Sequence, residues 1–275
     1  MFRGNYNFFD YKYNISGYTG QDYGSIAQNI YLISSFVLII LLLLFLRKLS
    51  KEKILKIIKI TGIFMTTLYI CKTVWESIYD IKLSGSFNTG LLPLDTCSII
   101  MYACLLAGFG KGKIKKMAEC WLTTGAIVGG FATMLYLNAF KYYPFFSFGA
   151  FYSMIWHFLM VSIGILLIVN DYVELKYESL LQGYLFHLIF SIVIIPIDFI
   201  FNFDFMLYHD LGDIPIFEDI ATKCTQMNLS FLNPLLMLLL YFIAFNIIYF
   251  GAFWIRKIFK IKKYNTIKKE GKSVS

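Results

Sequence analysis

Long apolar runs alternate with short polar interruptions along the whole chain. The runs occupy 27–46, 57–79, 91–110, 117–137, 148–169, 180–201 and 231–255. A helix needs about 20 predominantly apolar residues to cross a bilayer, and all seven runs are long enough. Membrane strands would alternate apolar and polar positions, and these runs do not. The pattern therefore predicts an all-α, polytopic integral membrane bundle of seven transmembrane helices. The second run is the weakest, because Lys72 and Glu76 lie inside it.

The polar interruptions orient the bundle. Arg47, Lys48, Lys51, Lys53, Lys56 and Lys59 follow the first run, and Lys111, Lys113, Lys115 and Lys116 follow the third. Lys176 follows the fifth, and a lysine-rich tail that opens with Arg256 and Lys257 follows the seventh. With seven crossings these four regions share one side, carrying nineteen basic residues against five (Arg3, Lys12, Lys82, Lys141, Lys223) opposite. The positive-inside bias then predicts the N-terminus outside and the C-terminus inside. The chain reads as a single membrane domain over 1–275. It comprises an interfacial leader (1–26), the bundle (27–255) and a basic cytoplasmic tail (256–275).

Composition agrees: 58% of residues are hydrophobic and 15% charged, against about a quarter charged in soluble domains. The net charge of +8 is accounted for by topology signals and contacts with anionic lipid, so no nucleic-acid partner is expected. The expected setting is a multi-pass protein of the cell membrane, and a wealth of Lys, Ile, Asn, Phe and Tyr suggests an AT-rich bacterial genome. The first apolar run lacks a basic flank before it and is long enough to stay in the membrane, so a cleaved signal peptide is not expected. Phe8, Phe9, Tyr11 and Tyr13 suit the headgroup level. Cys71, Cys97, Cys104, Cys120 and Cys224 show no metal-ligand spacing, and neither metal nor cofactor is expected. The longest irregular stretch is 202–230, an acidic outer loop long enough to be functional.

Ionisable groups inside a span are costly and face the bundle interior. At about 1.5 Å of rise per residue, Lys72, Glu76, Asp95, Cys97, His157 and Asp198 all fall within roughly 14 Å of the outer boundary. Only His187 and Glu119 lie toward the inner side. Each has a plain reading too: Lys72 and Glu76 pair at i,i+4 spacing, Asp95 complements a helix dipole, Cys97 fills space, and Glu119 snorkels. A mid-helix His157 needs a partner. Asp198 follows Pro196, and a proline-disturbed helix end bearing a carboxylate suits a cavity wall. His187 reads as structural. A thiol and an imidazole at similar depth on different helices suit acyl transfer, in which His takes the thiol proton and the thiolate attacks an ester. Burial raises a thiol pKa, so a base is needed, and Asp95 or Asp198 is available to orient the imidazole.

Three segments resemble a known family. LLPLDTCSIIMYACLLAGFGKGK is similar to the third-helix signature LPLHLC of the YwaF-type bacterial membrane proteins, relatives of eukaryotic transmembrane protein 164. YYPFFSFGAFYSMIWHF resembles the family segment that ends in Ser-His-Gly, and PIDFIFNFDFMLY resembles its NxxxGxNYxxL element. The likeness runs from Tyr69 to Ile255. The animal relative is an acyltransferase that places fatty acyl chains on ether phospholipids. The resemblance thus implies Cys97 and His157 as a catalytic pair and membrane phospholipids as partners. The family's His or Gln two residues before the Cys is Asp95 here, and the Gly after the His is Phe158. The Asn residues of the third element are Asp198 and Asp204, and its Gly is Asn202.

Three functions stay open: a thiol-dependent lipid acyltransferase, a transporter or solute-binding subunit using the same polar pocket, and a non-catalytic scaffold. Transport lacks the support of an inverted repeat. The enzyme lacks an oxyanion donor that the sequence identifies beyond the neighbours Thr96 and Ser98.

Overall fold

The computed structural model describes residues 6–11, 24–135, 139–209, 215–227 and 229–272, with backbone alone for 215–219, 221, 255 and 258–272. Among these residues nine α-helices are present: α1 (Ile26–Leu46), α2 (Lys51–Ser84), α3 (Ile99–Phe109), α4 (Gly112–Leu135), α5 (Ala139–Tyr142), α6 (Phe148–Val169), α7 (Tyr177–Phe201), α8 (Pro215–Gln226) and α9 (Asn233–Lys272). Seven segments are long and apolar enough to cross a membrane: α1, α2, Thr89–Phe109, Gly112–Tyr142, α6, α7 and Ser230–Trp254.

Helix ends fall where the sequence supplies caps. Ser25, Ser50 and Ser147 accept from Gln28 N, Lys53 N and Ala150 N at the starts of α1, α2 and α6; each satisfies an otherwise orphaned amide. Gly85 ends α2 with a left-handed φ of 73° and a bond to Ile81 O, a conformation glycine adopts without penalty. The hydrophobic runs underestimate α2, which is 34 residues long. Its charged flanks remain helical after leaving the apolar layer.

α4 is the central post. In its spanning window 62% of residues are buried, against 17% for α1 and for the last span. It packs chiefly on α6 and α7 and also touches α3, α9 and α1. Small residues make this possible. A Cβ on Gly164 of α6 would stand 2.7 Å from Leu122 O, and one on Gly183 of α7 would stand 3.0 Å from Cys120 O. In a membrane, where lipid tails offer no hydrophobic contrast, such close backbone approach is the main source of helix association.

Contacts at the helix ends show the alternation of crossings. At one end Gln28 Nε2 donates to Leu135 O, Phe148 N donates to Phe8 O, and Asn233 Nδ2 donates to His209 O. At the other, Leu49 N donates to Asn170 Oδ1 and Asn170 Nδ2 to Leu46 O. There too Arg256 donates to Ile168 O and pairs with Asp171 at 2.5 Å. The first places the start of α1 at one end, and the last places the spanning end of α9 at the other. Arg47, Lys51, Lys111, Lys176 and Arg256 sit at this second, basic end.

One sequence expectation is corrected. The stretch 202–230 is not irregular throughout, since α8 occupies Pro215–Gln226. Beyond the last span, α9 continues as one helix through the basic residues 256–272. Tyr11 is packed against the protein: it is 1% exposed and donates to Asp80 Oδ1 at 2.8 Å. Trp75 Nε1 and Tyr79 Oη donate to Phe9 O beside it. Phe8 and Phe9 are exposed, and Tyr13 lies outside the described residues.

Candidate functional site

The third span does not begin as a regular helix. Residues Thr89–Leu91 and Thr96–Ser98 form separate 3₁₀ turns, and only from Ile99 does the α-helix run. Pro93 lies between the turns and has no amide hydrogen to carry a helical ladder. Asp95 caps the second turn with extended backbone, yet its carboxylate makes no capping bond, so it is not consumed by the helix start. The turn holding Cys97 is clamped from two sides. Trp156 Nε1 of α6 donates to Cys97 O at 3.0 Å, and Tyr241 Oη of α9 lies 2.5 Å from Thr96 Oγ1. Tyr69 and Tyr102 donate to Leu91 O and Pro93 O and hold the approach to the turn.

Charged groups from several elements converge beside this turn. Asp95 lies within electrostatic reach of Lys72 and Asp204. Asp198 lies within reach of Asp204 and Asp95. The Cys97 thiol shares the neighbourhood of Asp95 and Lys72, with Tyr69, Tyr152 and Tyr241 around it. Lys72 pairs with Glu76, as their spacing predicts, and its ammonium stands 5.7 Å from the Tyr152 ring centre. A groove of about 440 Å³ opens here, lined by Asn88, Thr89, Gly90, Asp95, Asn202, Phe203, Asp204 and Phe205. Lys72, Glu76, Cys97, His157 and Asp198 are not on its wall.

Asp198 is fully buried. Its Oδ1 accepts from Phe205 N at 3.0 Å, while Oδ2 has no hydrogen-bond partner. Asn202 ends α7 with φ 55° and ψ 47°, and Asp204 Oδ1 accepts from His209 N at 2.9 Å. Asp198 thus folds the 202–205 turn onto the end of α7, which brings Asp204 across from Asp95.

His157 is buried on α6. Its Nδ1 is 2.7 Å from Ser153 O, and Nε2 has no partner. No hydrogen bond joins His157 to Cys97 among the described residues; Trp156, its neighbour on the helix, makes the contact with the Cys97 turn. His187 lies ten residues into α7 from its basic-end start at Tyr177. It is wrapped by Tyr184, Tyr241 and Phe245, with ring centres 6.3, 4.3 and 5.6 Å away. Its Nε2 lies 3.5 Å from Tyr208 Oη, which lies 2.6 Å from Ser191 Oγ. Tyr208 belongs to the loop after α7 and reaches down into the bundle; burial raises its hydroxyl pKa well above the ordinary phenol value. His187 therefore touches, through Tyr241, the clamp on Thr96. Glu119 accepts from Tyr172 Oη at 3.0 Å and pairs with Lys115 at the basic end.

Sequence reasoning singles out the carboxylates and misses the hydroxyl and indole clamp. The only trace of Tyr241 and Trp156 in the sequence is a polar-tipped aromatic inside an apolar run, which is also common in ordinary cores.

A model of the TMEM164 family matches residues 23–257, most of the chain. The chain belongs to the TMEM164 family. No curated protein matches it, and no solved structure does. The TMEM164 match takes in all seven spans and every charged residue of the cluster from Lys72 to Asp204. It agrees with the relation to transmembrane protein 164 seen in the third-helix segment.

Proposed function

We propose that this TMEM164-family protein is a membrane acyltransferase that moves a fatty acyl chain between phospholipids, with Cys97 as nucleophile and His157 as general base. The observation that carries the reading is the hydrogen bonding of His157. Ser153 O only accepts, so a neutral ring donates through Nδ1 at 2.7 Å, which leaves Nε2 unprotonated and without a partner. That is the form of a base. The family resemblance supports the same pair.

In the reaction the Cys97 thiol turns toward Nε2 and gives up its proton. The thiolate attacks the acyl ester, the S–acyl bond forms and the ester C–O bond breaks. The lysolipid oxygen takes the proton from the imidazolium. An acceptor hydroxyl then reverses the sequence, and the thiol is restored. The same reading sets the N-terminus outside and the C-terminus inside, from the nineteen-to-five basic asymmetry.

The test supplies a labelled phospholipid donor and a lysolipid acceptor to purified protein and seeks acyl-Cys97 by mass spectrometry. Cys97→Ala and His157→Ala are each expected to lower turnover by about 10²–10⁴-fold, with the adduct absent from the first. Unchanged turnover in Cys97→Ala overturns the mechanism. A solute-binding role is the second reading, favoured by one observation: the open groove is lined by Asp95 and Asp204 and not by Cys97 or His157. Under that reading, substitution of Asp95 abolishes function and substitution of Cys97 does not.

A further inference from the structure

The basic end holds a second concavity that the proposed chemistry does not use. A cavity of about 830 Å³ lies between the α6–α7 loop, the start of α2 and the end of the last span. Four cations line it (Lys51, Lys176, Arg256 and Lys257) with two carboxylates, Asp171 and Glu174. Two of the cations are spoken for. Arg256 pairs with Asp171 at 2.5 Å, and Lys176 with Glu174 at 2.9 Å. Lys51 and Lys257 make no ion pair among the described residues, and Lys257 stands 4.9 Å from the ring centre of exposed Trp254. The paired acids cancel their partners, so the cavity lining keeps an excess of two positive charges, one from α2 and one from α9.

The rest of the lining says what kind of anion fits. Phe253 and Leu175 form an apolar wall, and Phe250 and Phe253 continue exposed down α9 into the span. Trp254 ends the last span, the position of an aromatic at the boundary between hydrocarbon and headgroups. A soluble anion has no use for that wall. A lipid has, because its phosphate meets the two lysines while its chains lie along α9.

We propose that this cavity binds the headgroup of an anionic phospholipid, with Lys51 and Lys257 as its phosphate ligands. The site is distinct from the acyl-transfer centre, and its binding is independent of that reading. Basic juxtamembrane segments attract anionic lipid diffusely; what the cavity adds is a defined position and stoichiometry.

The experiment uses the full chain in neutral detergent micelles, titrated with phosphatidylglycerol or phosphatidylcholine carrying brominated chains, with tryptophan fluorescence as readout. Trp121 and Trp156 are buried, and Trp75 lies at the opposite end, so quenching at Trp254 reports the cavity. Saturable quenching by phosphatidylglycerol is expected at concentrations about tenfold lower than by phosphatidylcholine. The component is expected to vanish in Trp254→Phe, and the preference to vanish in K51Q/K257Q. The control K111Q/K113Q removes the same charge from the same end without touching the cavity, and is expected to keep the preference. Elution as a single species checks that each variant is folded. Equal quenching by the two lipids overturns the proposal. So does equal loss in the control pair, which indicates diffuse attraction. Displacement by millimolar glycerol phosphate also overturns it, in favour of a soluble anion.

Discussion

Asp198 illustrates how one side chain fixes the shape of the polar cluster. The sequence marks it as an acid behind Pro196, and that suffices to single it out. In the fold it is buried, and one oxygen receives Phe205 N, so it closes the turn that carries Asp204 toward Asp95. Asp198→Asn keeps an acceptor oxygen, whereas Asp198→Ala leaves the Phe205 amide unpaired. An unpaired buried donor costs about 1–3 kcal/mol. The alanine variant is therefore expected to melt several degrees lower in detergent by fluorescence-detected size exclusion, with the asparagine variant close to the parent. Equal melting of the two would show that the Asp198–Phe205 bond is not what holds the turn. His157 teaches a related lesson. Its depth is legible in the sequence, but the direction of its ring, back toward Ser153 O rather than onto Cys97, is a rotamer choice made by helix packing.

At the scale of elements, glycines decide how near the helices come. Gly164 faces the Leu122 carbonyl at a Cβ distance of 2.7 Å, and a backbone carbonyl has nowhere to go, while a Cβ on Gly251 meets nothing within 4 Å. Gly164→Ala is expected to cost about 1–3 kcal/mol through overpacking. Gly251→Ala is expected to be neutral or slightly stabilising, since alanine favours helix over glycine. Thermal unfolding of both variants in one detergent checks the contrast, and equal melting temperatures would contradict the packing account. The spans themselves were readable because twenty apolar residues have no other home than lipid. α8 was not, because it is short, carries Glu218, Asp219 and Lys223, and lacks an apolar run long enough to span. The length of α2 was hidden for a similar reason: helical hydrogen bonding continues past the point where the apolar pattern ends.

For the whole molecule, orientation and closure are the issues. Reporter fusions are expected to place Met1 outside and Ser275 inside, from the charge asymmetry; both termini on one side would contradict the seven-crossing topology. The N-terminal segment contributes to closure, because Tyr11 is buried against α2 and donates to Asp80. Tyr11→Phe removes that bond while keeping the ring, and is expected to lower stability by about 1 kcal/mol, measured as a shift in melting temperature. By itself the sequence determined the class, the number of crossings, which loops share an end, and the residues whose charge is costly in lipid. These follow from local runs and from counting, since transfer of apolar and charged groups to a bilayer is close to additive along the chain. Only the tertiary structure decided that α4 is the post and that Tyr241 and Trp156 clamp the Cys97 turn. It also decided that Tyr208 descends to His187, and that Asp95, Asp198 and Asp204 meet while His157 bonds back to its own helix. Those outcomes depend on which helix faces touch, and residues far apart in the chain settle that together through packing and hydrogen bonds that no local pattern encodes.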